Sequence, residues 1–195
     1  MTNEESKKEL ERIVREATEA IHDKIPRAIA VLAKNHFRNT FREGGFDGKP
    51  WKTTWRQQLG VGAEKGYKPL TSKTLTLMNS IDAEVQDKAV RVHSDLDYSL
   101  IHNEGGDINI TAKMRGYFWA MFLSEGGKSK GKKRELPPRA RKWLALALAA
   151  KKKKKFKIPK RQFIGESKPL NDKINKKIES IIRGIIDGTN STRSS

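Results

Sequence analysis

Apolar residues recur at helical spacing from the start of the chain: Leu10, Ile13, Val14, Ala17, Ile21, Ala28 and Leu32 fall on one side of a 3.6-residue repeat. Thr2 with Glu5, and Ser6 with Glu9, both have the spacing of an N-terminal capping box, so a long amphipathic helix is expected to open the chain. Pro26 lacks a backbone donor and crowds the preceding turn, which places a kink or break near Lys24. Residues 27–42 should continue as helix until Gly44, Gly45 and Gly48 end it. The stretch from Phe46 to Pro69 reads as a long loop pinned by Trp51, Trp55 and Tyr67.

The period then changes. Thr71 to Asn79 reads as a short helix with Leu75 and Met78 inward, after which Ile81, Ala83 and Val85 alternate with polar residues. Gln86-Asp87-Lys88 supplies a turn, and Val90 and Val92 complete an antiparallel hairpin. Ile108 with Ile110, and Phe156 with Ile158, show the same alternation, so about four strands in a small antiparallel sheet are expected. Met114 to Leu123 is too densely aromatic for a solvated surface and reads as a buried or interface helix. Pro137-Pro138 launches a second such helix through Trp143 to Ala150, and Gly126 to Lys133 separates the two as a basic loop. Leu170, Ile174, Ile178, Ile181, Ile182 and Ile185 form one face of a C-terminal amphipathic helix, with Gly188 as its stop and Thr189 to Ser195 fraying. The fold class is therefore α+β, as a single domain over residues 1–195 with an insertion-like aromatic and basic segment at 107–155.

Composition narrows the function classes. Hydrophobic residues make up 35% and charged residues 33%, so the core must be concentrated in a few segments. Cysteine is absent, which excludes disulfides and thiolate metal sites and fits a reducing cytoplasm. The first residues lack the basic start and apolar stretch of a secretory signal, and the longest apolar run, Trp143 to Ala150, is far short of the roughly 20 residues that cross a bilayer. No membrane association is expected. The formal charge of +18 is uneven: from Lys128 to Arg161 there are sixteen Lys or Arg against the single acid Glu135.

Few candidate chemistries survive inspection. Gly126 to Lys133 approaches a phosphate-binding loop through Gly126, Gly131 and Lys132, but Lys133 stands where a Ser or Thr must hold the metal, and no strand precedes it. His102-Asn103-Glu104 has the His-x-Glu spacing of a zinc deaminase, whose remaining ligands are cysteines this chain lacks. No Ser/His/Asp grouping or paired-carboxylate motif appears, so no catalytic, cofactor or metal residue is assigned and no enzyme is expected. Lys151, Lys152, Lys153, Lys154, Lys155 and Lys157 form the strongest electrostatic feature, a contact for DNA phosphates or an acidic neighbour on one reading and a solvated turn on the other.

Four segments, in order, resemble the virion morphogenesis or tail-completion family of tailed phages. They are Phe46-Asp47-Gly48-Lys49-Pro50-Trp51; Leu75 to Ile81; Val90 to Ser94 with Asp97 to Gly106; and Ile158-Pro159-Lys160-Arg161-Gln162-Phe163-Ile164-Gly165. Ser99 stands where alanine is usual, and Asp107 to Lys155 departs further from the pattern. The resemblance implies a small α+β protomer that assembles as a ring around the DNA channel at the upper end of the tail. It also implies other tail or neck proteins as partners, and a life in the virion after assembly in the host cytoplasm. Trp51, Tyr98, His102, Arg161 and Phe163 are the candidate interface residues: Tyr98 can bury its ring while its hydroxyl is bonded, and Arg161 beside Phe163 sets a donor fork next to an apolar anchor. The alternative, from a different class, is a DNA-binding protein acting without sequence preference through residues 128–161.

Overall fold

The computed structural model describes residues 3–54, 57, 66–87, 89–127, 136–152 and 154–191. The expected capping residue Thr2, the aromatic Trp55, the turn residue Lys88, most of the 126–133 loop and Lys153 lie outside the described residues. The opening helix α1 covers Asn3–Glu19 and α2 covers Ile25–Glu43, joined without a break by a π-helical turn at Ala20–Lys24. Pro26 explains the widened turn. Its ring would crowd the carbonyl four residues back, and the N–H of Ile25 reaches instead to the oxygen of Ala20, five residues back. The expected interruption is thus a bulge that keeps the axis helical. Gly44, in the left-handed region at φ 76°, ends α2 by donating its N–H to Thr40.

The next element was not legible as structure. Gly45–Phe46 (β1) and Lys49–Pro50 (β2) pair as a tight hairpin across Asp47 and Gly48, whose φ values are both positive at 47° and 77°. Helix α3 (Thr76–Asn79) is a single turn that buries Leu77 and Met78. The four strands read from alternation all form. Ile81–Gln86 (β3) pairs antiparallel with Ala89–Ser94 (β4), and, after α4 (Ser99–Glu104), Gly106–Asn109 (β5) pairs antiparallel with Lys155–Ile158 (β6). They are distributed as two separate ladders. Helix α5 (Ala112–Ser124) and helix α6 (Pro138–Lys152) lie between β5 and β6 in the chain, and α7 spans Lys168–Ser191. The last helix runs past Gly188, where a stop was expected; an interior glycine costs a helix only about 1 kcal/mol.

Two compact units result, one made of Met1–Trp51, Lys68–Ser99 and Gln162–Ser195, the other of Lys52–Tyr67 and Leu100–Arg161. In the first, α2 packs against both the β3–β4 hairpin and α7, and α1 packs against α7. Its core joins Ala33, Phe37 and Phe41 of α2 with Trp51, Leu77, Met78, Ile81, Phe163 and Leu170. Removing a Phe side chain such as Phe41 from water contributes about 1.5–3 kcal/mol. Arg38 ties the layers together, donating from Nη2 to the carbonyls of Asn79 and Ile81 at 2.9 Å each. In the second unit, Phe118 and Phe122 of α5 pack on Ala140, Trp143, Ala147 and Ala150 of α6. Ala140, Trp143, Ala147 and Ala150 recur at intervals of three and four residues on one face of α6, and the small alanines let aromatic rings lie close against its backbone.

Candidate functional site

Trp51 and Phe163, far apart in sequence, are brought together in the first unit's core. Phe41 stands between them, its ring centroid 5.3 Å from that of Trp51 and 5.2 Å from that of Phe163. The indole N–H of Trp51 donates to the carbonyl of Gln162 at 2.8 Å, which satisfies the one polar atom of a residue only 8% exposed. Phe163 is 1% exposed, so its ring faces inward in the single chain. Tyr98 departs from expectation: its ring is 43% exposed, because it sits in the irregular stretch between β4 and α4.

The same unit holds a polar cluster that sequence reasoning missed. Ser167 caps α7, its Oγ accepting the N–H of Leu170 at 3.3 Å. That hydroxyl also donates to Asp47 Oδ1 at 2.7 Å and lies 3.0 Å from His36 Nε2. His36 comes from α2 and Asp47 from the β1–β2 turn. Burial pushes the His36 imidazole below its ordinary value, aided by Lys173 and opposed by Asp47 and Glu43. A nucleophilic triad needs an imidazole bridging serine and carboxylate. Here the hydroxyl is the bridge and Ser167 is only 2% exposed, so the cluster staples three elements. Asp-Gly at 47–48 and the helix cap at 167 were the available signals; their meeting across 120 residues was not.

Arg161 and His102 fall in the second unit. Arg161 is 6% exposed; its Nε donates to the carbonyl of Lys52 at 2.9 Å, and its backbone N–H donates to the carbonyl of His102 at 2.9 Å. Burial lowers the guanidinium's proton affinity, with no acid opposing the shift. Burial, and then Arg161, also lower that of His102. Gly105 makes this approach possible. At φ 74° it occupies the left-handed region, and a Cβ there would lie 2.7 Å from the backbone nitrogen of Lys160. Glu104, the other half of the His-x-Glu spacing, pairs with Lys160 at 2.8 Å. Among the described residues no group of three or more His, Asp or Glu is placed to hold a metal ion.

Lys151, Lys152, Lys154, Lys155 and Lys157 are all exposed. Pleating explains the last two: Phe156 turns toward Phe118, so its neighbours Lys155 and Lys157 point outward. Lys155 lies across from Asn109, and Lys157 across from Asp107. The basic run thus continues from the end of α6 along the outer face of a strand ladder.

These features define an α+β protein that staples its backbone with buried polar groups and exposes Lys155 and Lys157 on the outer face of one strand ladder. The chain belongs to the phage virion morphogenesis family, whose model matches residues 2–184, and so is a virion-associated phage protein with a structural or assembly role. No curated protein and no solved structure matches it. No helix among the described residues is long and apolar enough to cross a membrane.

Proposed function

We propose that the chain completes the phage tail or forms part of the head–tail connection as a closed ring of identical subunits, working without turnover of a substrate. One observation carries this reading. Leu10, Val14 and Ile21 of the α1–π segment are 61%, 57% and 59% exposed, and α1 buries no residue at all. At 3.6 residues per turn these three side chains fall within an arc of about 40°. A continuous apolar stripe on a helix is expected to be covered, and on this reading a neighbouring copy of the chain covers it. The partners on this reading are further copies of the chain and other tail or neck proteins. A discrete oligomer by native mass spectrometry is expected, with Val14→Lys giving a folded monomer. A chain that stays monomeric at high concentration and with its tail partners present would sink the proposal. Particles assembled without the protein separate the roles by electron microscopy: tail-free heads beside complete tails indicate joining, and overlong tails indicate termination.

The exposed lysines favour a second reading, in which Lys151, Lys152, Lys154, Lys155 and Lys157 contact DNA phosphates in the channel. Replacing Lys151 to Lys155 with glutamine should then abolish salt-sensitive DNA retention and leave ring formation intact.

A further inference from the structure

The second unit contains a cavity of about 550 Å³ lined by Thr53, Thr54, His102, Phe118, Leu146, Phe156, Lys157, Ile158, Pro159 and Arg161. Among the described lining residues, Phe118, Leu146, Phe156, Ile158 and Pro159 form an apolar wall. Arg161, more than nine-tenths buried, is among the lining residues, and no ion pair to it occurs among the described residues. A buried guanidinium without a carboxylate is costly, because desolvation of the charge goes uncompensated. Lys52 takes one of its N–H groups through a backbone carbonyl, which relieves hydrogen bonding but not charge. Lys157, exposed at the rim, adds a second cation.

We propose that this cavity is a receptor for a carboxylate carried beside an apolar side chain, namely an acidic segment of a neighbouring virion protein. The planar guanidinium matches a carboxylate, and the apolar wall accepts the side chain next to it. The described part of the same unit favours such a segment, since Lys151, Lys152, Lys154, Lys155 and Lys157 are all exposed. A phosphate of duplex DNA fits less well. A phosphodiester is flanked by sugars on a convex backbone, and the exposed lysines of β6 suit it better than one arginine inside an apolar cavity. The proposal rests on the assembly reading only for the source of the segment.

Calorimetric titration of the full chain with the capped peptide Ser-Glu-Phe-Ser tests it. Saturable binding is expected, weakened roughly tenfold when Gln replaces the peptide's Glu, as for loss of one charge-assisted pair. Arg161→Gln should weaken the Glu peptide by a similar factor. Lys157→Gln, an exposed change that leaves folding untouched, should weaken it several-fold. Equal affinity for the two peptides, no effect of Lys157→Gln, or displacement of the peptide by a short DNA duplex would each overturn the proposal. Measuring oligomeric state on the same samples separates the two ideas. A chain that forms its ring but takes no peptide loses the receptor alone, and one that takes the peptide but stays monomeric loses the ring alone.

Discussion

Helices α2 and α5 are both rich in large apolar residues, yet they end in opposite conditions. In α2 the apolar side chains recur with the helical period, and Ala30, Ala33, Phe37 and Phe41 are all buried on one face. In α5 they surround the helix, so only Phe118 and Phe122 are buried, while Tyr117, Trp119 and Leu123 stay 49%, 38% and 54% exposed. Between these two helices burial follows the period of the apolar pattern and not its density, whereas the equally periodic α1 buries no residue. The uncovered part of α5 is surface, and a surface of that kind in a virion protein invites contact.

The sharpest way to break this comparison is by truncation on each side of it. Phe163→Ala, which empties a site 1% exposed against Phe41, should cost about 3–5 kcal/mol in urea denaturation. Trp119→Ala, despite the larger side chain, should cost about 1 kcal/mol or less, because much of its surface already meets water. Similar losses would mean that α5's exposed rings are structural after all. Gly105→Ala comes next: positive φ and collision with the Lys160 backbone should together remove about 1–3 kcal/mol. Ser167→Ala, which loses a helix cap and the bond to Asp47, should cost about 1–2 kcal/mol by the same measurement.

Most of the elements were legible because their signals are local. The 3.6 period announced α1, α2 and α7, alternation announced β3 to β6, and the turn at Gln86-Asp87-Lys88 announced the pairing of β3 with β4 alone. The β1–β2 hairpin was missed although Asp47-Gly48 is a strong two-residue turn signal; two-residue strands show no alternation to go with it. Separation of the strands into two ladders was not legible either, since alternation reveals which face is buried and nothing about which strands are neighbours. For the site, sequence singled out Trp51, Tyr98, His102, Arg161 and Phe163 as residues of one class. Their surroundings differ: Trp51 and Phe163 share a core with Phe41, while Arg161 and His102 line a cavity. That distinction depends on contacts more than 100 residues apart, such as Arg161 with Lys52 at a separation of 109.

Two half-buried histidines, His36 and His102, extend the comparison between units to pH. Both imidazoles are held below the ordinary value of 6.5 in the folded chain, so the unfolded chain takes up protons first as the pH falls. Stability from this source is therefore complete above about pH 6.5 and declines as acid is added toward the folded-state values. The surroundings are not equivalent. At His36 the charge of Lys173 opposes protonation while Asp47 and Glu43 favour it, whereas the charge acting on His102 is the cation Arg161. His102→Gln should flatten the fall in urea midpoint between about pH 7.5 and pH 5.5 more than His36→Gln does, a range that stays above ordinary carboxylate titration. An equal response from the two variants would mean that Asp47 and Glu43 do nothing to ease the protonation of His36.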